Sequence, residues 1–315
     1  MATTVTILGA TGYVGVQLVS RLADRGYHIK ALTRHKCRHN KLGVLSNVQL
    51  VETDTHDQAA LEKHLAGSAA VINLIGILNQ EGASTHTFDN AHVELVKKMV
   101  NACLNTGVPR YLHMSALNAD AERGSSEYLK SKGKGEDLAF ELAGDKLAVT
   151  SFRPSVIFGS QDSFFNRFAG LLKTLPVFPL ACGDSKMAPV YVGDVCEKII
   201  QALEDPSTAG QRIDLVGPKD YTLRELVAYT GRVSGAQKKI IDLPDWAARL
   251  QAKLMALVPG KPFTMDNYLS LQTDSISDDE TARQPTSIEA IVPRYIGQKD
   301  RNLKYQTFRQ AARRD

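Results

Sequence analysis

The chain has 315 residues, 43% of them hydrophobic and 23% charged, with a net charge of +4. That balance excludes a disordered or collagen-like chain and leaves material for a sizeable core, while the charge is too mild to argue for nucleic acid and no nucleic-acid motif accompanies it. Four cysteines (Cys37, Cys103, Cys182, Cys196) without a C-x-x-C pair, no secretory pattern and no apolar run of bilayer length predict reduced thiols in a cytoplasmic protein with no transmembrane segment.

Val5-Thr6-Ile7-Leu8 reads as a short apolar strand that runs into Gly9-Ala10-Thr11-Gly12-Tyr13-Val14-Gly15. A helix from Tyr13 to Arg25 follows, with Val14, Leu18, Val19 and Leu22 at helical spacing and Gly26 as the stop. Gly9 lets the chain turn off the strand, Gly12 admits a phosphate close to backbone N–H groups, and Gly15 lets the helix lie close on the sheet. The unpaired N–H groups of the helix N-terminus favour an anion there, so the stretch predicts a pyrophosphate site for a dinucleotide. A plain strand-to-helix link is the alternative.

Tyr27 to Thr33 reads as a second strand, followed by Arg34, His35, Lys36, Arg38, His39 and Lys41; no Asp or Glu lies between Gly26 and Val51. An acidic residue at this place holds ribose hydroxyls and a basic one accommodates a 2′-phosphate, so the stretch predicts NADP(H) preferred over NAD(H), with Arg34 as the main contact. The alternative is a solvated basic loop. Val48 to Val51 is a third strand; Asp54 beyond it suits either an adenine amino group or a turn, and Gln58 to Leu65 is a helix. Ala69 to Ile75 is a nearly continuous apolar run interrupted by Asn73, as a strand covered on both faces should be, and its end, Leu74, Ile75 and Gly76, would pass beneath the cofactor.

A long helix is predicted from Thr87 to Asn105, then a strand from Tyr111 to Met114 with Ser115 at its carboxyl end, a helix from Ser126 to Ala143, and a strand from Leu147 to Phe152 leading into Arg153, Pro154, Ser155 and Val156. This alternation predicts an α/β fold, a Rossmann-type doubly wound parallel sheet with helices on both faces. Residues 1–160 would form the dinucleotide-binding domain and 161–315 a smaller lobe interleaved with the sheet. In that lobe, helices are predicted at Phe164–Leu175, Val195–Leu203, Leu223–Val233 and Pro244–Leu257, and extended segments at Pro189–Val192, Arg212–Val216 and Ile240–Ile241. The last helix carries Trp246, Leu250 and Leu254 on one face and reads as a core cover, with a partner or membrane-surface helix as the alternative. The basic stretch Arg294 to Arg314 reads as a solvated tail, with an electrostatic dock to an acidic partner or lipid face as the alternative.

Ser115, Tyr128 and Lys132 invite a mechanism. Tyr128 and Lys132 share a helix face, and a nearby ammonium is expected to lower the phenol's pKa, so that the phenol exchanges a proton with a carbonyl or alcohol oxygen that Ser115 holds. The alternative is that Lys132 holds a ribose and Tyr128 only packs in the cleft.

Thr11-Gly12-Tyr13-Val14-Gly15, Ser115-Ala116, Tyr128-Leu129-Lys130-Ser131-Lys132, Phe152-Arg153-Pro154-Ser155-Val156-Ile157-Phe158-Gly159 and Val190-Tyr191-Val192-Gly193-Asp194-Val195 together resemble the extended and atypical short-chain dehydrogenase/reductases. Within these, residues 4–235 are most similar to the subgroup of the nucleotide-binding accessory subunit of respiratory complex I and its bacterial relatives. The resemblance implies that Gly9, Thr11, Gly12, Tyr13 and Val14 meet a pyrophosphate, Arg34 a 2′-phosphate, and Asp54 an adenine. Leu74, Ile75 and Gly76 would lie under the adenosine ribose, Ser115, Tyr128 and Lys132 on the nicotinamide side, and Pro154, Ser155 and Val156 against the carboxamide. It implies that Asn90 ties the long helix to the sheet and that Arg153 and Asp194 brace the second lobe. Two functions follow from it: oxidoreductase or epimerase chemistry on a small carbonyl or alcohol substrate, or an NADPH-holding scaffold, assembly or redox-sensing protein with a partner from respiratory or quinone metabolism, peripheral on the inner membrane. The twelve residues between Ser115 and Tyr128 leave little wall for a nucleotide-sugar, and the second lobe lacks an obvious Arg cluster for a diphosphate, which weighs against epimerase chemistry.

Overall fold

The computed structural model describes residues 3–35, 42–80, 87–258 and 261–297. Lys36, Cys37, Arg38, His39 and Lys41 of the basic segment, and residues 298–315 of the basic tail, lie outside the described residues.

Strand β1 (Thr4–Leu8) is buried from Val5 onward because both of its faces are covered. It feeds helix α1 (Tyr13–Asp24), which turns Gly15, Leu18, Val19 and Leu22 inward. Next come β2 (His28–Thr33), β3 (Val48–Glu52), α2 (Gln58–Leu65) and β4 (Ala70–Asn73). A single π-helical turn at Asn90–Glu94 opens α3 (Leu95–Thr106), and β5 (Arg110–Met114), α4 (Glu127–Ala143) and β6 (Ala148–Pro154) complete the first half. The second half contributes β7 (Ile157–Phe158), α5 (Phe165–Thr174), β8 (Val177–Leu180), β9 (Lys186–Met187), β10 (Val190–Tyr191), α6 (Val192–Glu204) and β11 (Arg212–Leu215). It closes with β12 (Tyr221–Thr222), α7 (Leu223–Ser234), β13 (Lys239–Asp242), α8 (Asp245–Met255), α9 (Met265–Ser270) and α10 (Ile288–Ile296).

The central sheet has seven strands in the order β11-β6-β5-β4-β1-β2-β3, and every pairing in it is parallel. It is the expected doubly wound α/β sheet. Helices α1 and α6 pack on one face, where Leu18, Val19, Val195 and Ile199 meet Val5, Ile7 and Leu112. On the other face Leu61, Val96, Val100 and Ala139, from α2, α3 and α4, meet Leu8, Val71 and Tyr111. The order reverses between β1 and β4, and open α/β sheets bind ligands at such a reversal, beyond the carboxyl ends of the strands. The glycine turn sits there. Gly9 has φ +76°, and a Cβ on it would lie 3.0 Å from the Leu74 carbonyl carbon; one on Gly15 would lie 2.1 Å from the Gly9 carbonyl oxygen.

The seventh strand comes from the second half, and the remaining elements of that half pack Phe158, Phe165, Leu172, Phe178, Leu226 and Val292 into a separate apolar cluster. Two expectations change here. Helix α8 does not bury its large apolar face: Ala248 and Ala252 pack inward, whereas Trp246 and Leu254 are 71% and 58% exposed. The start of the expected tail is not solvated tail either, since Arg294 and Tyr295 belong to α10 and the Tyr295 hydroxyl donates to Asp162.

Helix α4 approaches the π turn so closely that a Cβ on Gly135 would lie 1.9 Å from the His92 carbonyl oxygen, a backbone atom that cannot swing away. We expect Gly135→Ala to destabilise the protein by about 2 kcal/mol or more. Gly170 on α5 has open space at its Cβ position, so Gly170→Ala is expected to stabilise by about 0.5–1 kcal/mol. Urea unfolding of the two variants checks both signs.

Candidate active site

The turn from β1 to α1 presents bare backbone. Gly12 caps α1 without a side-chain hydrogen bond, and the first turn of the helix holds no acidic residue, so the positive end of the helix dipole is not neutralised locally. Thr11, Tyr13 and Val14 flank it. The Tyr13 side chain points to the second lobe: a Cβ on Gly159 would lie 2.5 Å from its hydroxyl, which is buried without a hydrogen-bond partner, and burial and then Asp162 raise its pKa. Arg34 is exposed just beyond β2. Asp54 accepts from the His56 N–H at 2.8 Å in a turn, and the cap of α2 is Asp57.

Leu74, Ile75 and Gly76 continue β4 past the glycine turn, where Leu74 N–H donates to Leu8 at 3.0 Å. The next link is His92. Its Nε2 accepts from the Ile77 N–H at 3.1 Å, so its Nδ1 carries the proton and donates to Ser131 Oγ at 2.8 Å; Ser131 in turn donates to the Tyr128 carbonyl at 2.8 Å. Burial first, then Lys132 and His113, push His92 down to about 2 and keep it neutral. His92, two residues beyond Asn90 in the same π turn, thus ties this helix to the loop after β4.

Tyr128, Lys132 and Glu136 lie one turn apart on α4. Lys132 Nζ donates to the Met114 carbonyl at 2.5 Å, at the end of β5 and next to Ser115, and a Cβ on Gly76 would come within 3.7 Å of Nζ. Burial pushes the ammonium down to about 8, against an upward pull from Glu136. His113, on β5, is also held neutral, by burial and then by Lys132. Glu136 is fully buried and accepts from Ser151 at 2.5 Å and from Arg153, with Arg212 of β11 at 3.4 Å. Ser115 is 3% exposed, and its Oγ has no hydrogen-bond partner. Pro154 and Ser155 are buried beside it, but the Ser155 hydroxyl bonds Ser275 at 2.8 Å, and Val156 packs into the second lobe.

Tyr128 rests edge-on against the His92 and Phe88 rings, with centroids 5.6 and 5.9 Å away. Its phenol is raised to about 12, by burial and then by Asp266, the opposite of the expected lowering by Lys132. Asp266 belongs to α9 and reaches across to the N-terminus of α4, accepting from the N–H groups of Glu127 at 2.8 Å and Tyr128 at 3.3 Å. Sequence reasoning missed His92, Glu136 and Asp266. The four-residue spacing of Glu136 from Lys132 was a usable signal; the docking of Asp266 rests on contacts across 139 residues and had none.

The model of the NmrA-like family matches residues 1–308. The chain belongs to that family. It is 30% identical over 298 residues to the mitochondrial NADH dehydrogenase (ubiquinone) 1 alpha subcomplex subunit 9 of Mus musculus, covering 90% of this chain and 77% of that protein. It is 28% identical to the ceramide reductase of Caulobacter vibrioides, over 76% of this chain and 74% of the other. The NADPH-dependent quinone oxidoreductase of Escherichia coli, solved with NADPH, superposes with a TM-score of 0.71 at 20% identity, over 88% of this chain and 93% of that one. This NmrA-like chain is an atypical short-chain dehydrogenase/reductase of the complex I accessory-subunit subgroup. Among its described residues no helix is long and apolar enough to cross a membrane, and Cys103, Cys182 and Cys196 are free thiols; Cys37 lies outside them.

Lys132 gives the site a pH signature. Its folded-state pKa lies below its ordinary 10.5, so between about pH 8 and 10.5 the unfolded chain holds the proton more tightly and folding gains as pH rises. The stability of the wild type minus that of Lys132→Met should therefore increase across this window by up to about 3 kcal/mol. Urea unfolding at a series of pH values measures it, and a flat difference refutes the assignment.

Proposed function

We propose that the protein binds NADP(H) in preference to NAD(H) and reduces a small carbonyl compound. The observation that carries this reading is the Ser115 hydroxyl, buried and unpartnered at the carboxyl end of β5, beside Lys132 and along the same carboxyl edge of the sheet as the glycine turn. A buried polar group without a partner is costly, and a substrate oxygen would satisfy this one. The residues fit a dinucleotide: the bare N-terminus of α1 would take the pyrophosphate, Arg34 the 2′-phosphate, and Lys132 the nicotinamide ribose, since its ammonium keeps two N–H donors after bonding Met114. Asp54 would stand near the adenine, Leu74, Ile75 and Gly76 under the ribose, and Pro154, Ser155 and Val156 against the carboxamide.

The nicotinamide, when bound, supplies a hydride to the carbonyl carbon. Ser115 would hold the carbonyl oxygen, and Tyr128 would donate its phenolic proton to that oxygen as it becomes an alcohol. A phenol raised to about 12 is protonated at neutral pH, which suits it to act as the acid in reduction. The Lys132 charge would stabilise the phenolate that the transfer leaves.

The second reading is a cofactor-holding scaffold, with a respiratory or quinone-pathway protein as its partner. It draws on the complex I relatives and on Asp266, which disfavours the phenolate that turnover would generate. It predicts cofactor that co-purifies, exchanges slowly and comes with a partner.

Two experiments separate these readings. In the reductase, Tyr128→Phe should abolish NADPH oxidation across a panel of aldehydes and ketones while leaving cofactor affinity within about twofold. Wild-type turnover no faster than the variant's would leave the scaffold. Wild-type reduction should fall above about pH 8, as Lys132 loses its proton. For the cofactor, NADPH should bind more than about tenfold tighter than NADH and Arg34→Ala should remove most of that gap; equal wild-type affinities by calorimetry would refute the preference.

A further inference from the structure

Helix α8 offers a face that the mechanism does not use. It is held by Ala248 and Ala252, which pack on Ala181 and Tyr268, so the helix lies along the surface with its opposite side outward. Trp246, Leu250 and Leu254 line that side at four-residue spacing, and Leu257 and Val258 extend it by another turn; Trp246 is 71% and Leu257 83% exposed. Lys261 joins the end of this stripe to the loop after β4: its N–H donates to Val258 at 2.9 Å, its Nζ to Gln80 at 2.6 Å, and its carbonyl accepts from Asn79 at 3.2 Å. That loop adds the half-exposed Leu78, and α9, whose Asp266 caps α4, adds Leu269. The apolar strip thus runs beside the elements that cover Tyr128.

The exposed charges left without an ion pair on α8 and the strand before it are all basic, and Asp266 of α9 is turned to the N–H groups of α4. The strip's other acidic neighbours are already paired, Asp242 with Arg224 and Asp245 with Arg249. Lys253 on α8, and Lys238 and Lys239 at the strand leading into it, make no ion pair among the described residues and are exposed. Tryptophan and leucine along one side of a surface helix, with lysine stems at the edge, match the boundary between lipid headgroups and acyl chains, where the ammonium groups meet anionic phosphates. Strips of this kind on a soluble fold mark interaction sites. From this geometry, and independently of the reading of the active site, we infer that α8 with Leu257 and Val258 docks the protein flat on an anionic lipid bilayer.

Trp246 is the only tryptophan in the chain, so its emission reports on this face alone. The probe is the full-length protein mixed with vesicles of equimolar phosphatidylglycerol and phosphatidylcholine. Emission should move to shorter wavelength and the protein should sediment with the vesicles, about tenfold or more weakly when phosphatidylcholine is used alone. The double variant Leu250→Gln, Leu254→Gln should lose about tenfold or more in vesicle affinity with little change in thermal stability, because both side chains are already about half exposed. Absence of any shift or sedimentation overturns the proposal, as does a double variant that binds as the wild type does. Emission already blue-shifted without vesicles also overturns it: a dependence on protein concentration would assign the face to a second copy of the chain, and independence of concentration to the chain itself.

Discussion

The site depends on how closely α4 can approach its neighbours. Gly133 and Gly135 allow it: a Cβ on the first would lie 2.4 Å from the backbone of Asp120 and Ala121, and one on the second would strike the π turn. Lys132 immediately precedes the first of them, and its reach to the Met114 carbonyl depends on the close approach the two glycines allow. The same helix face then serves three layers of the structure. Tyr128 meets the Phe88 and His92 rings, Lys132 the end of β5, and Glu136 the arginines of β6 and β11, so one rigid element ties these layers together.

The electrostatics of the site follow from this burial. Two imidazoles, His92 and His113, surround the ammonium without competing with it, because desolvation and the ammonium itself keep both neutral. Glu136, one turn further along α4, supplies the compensating charge and is itself met by Arg153 and Arg212. A buried cation with one carbonyl partner and a carboxylate at a distance remains easy to deprotonate, which a surface lysine is not. The bare end of α1 contributes positive potential from the other side of the sheet reversal, and it does so with backbone, so no side chain has to be ordered to provide it.

The parallel sheet was legible because each of its first six strands carries its own local signal, an apolar run bounded by turn residues, and its helices repeat at 3.6 residues. The placement of Ser115 just beyond a strand end, and of Tyr128 and Lys132 one turn apart on the following helix, was legible for the same reason, since strand end and helix start are both local. Three things were not. The upward shift of Tyr128 comes from burial first and then from Asp266, which lies on a short helix far along the chain. His92 hides in a π turn, where the extra residue displaces the register by which facing side chains are read. The orientation of α8 was misjudged because an amphipathic pattern says that two faces differ; it does not say which one the fold covers, and here two alanines form the inner face.

The hydrogen bonds from Glu127 and Tyr128 to Asp266 tie the C-terminal lobe to the helix that carries Tyr128. The carboxylate steadies the first N–H groups of α4 and at the same time makes the neighbouring phenol hold its proton more tightly. Because such coupling is reciprocal, α9 must grip α4 more firmly while the phenol is protonated than after the proton has left. Proton loss and lobe release are then two readings of one free energy: the carboxylate that ties α9 to α4 is also the charge that a phenolate would push away.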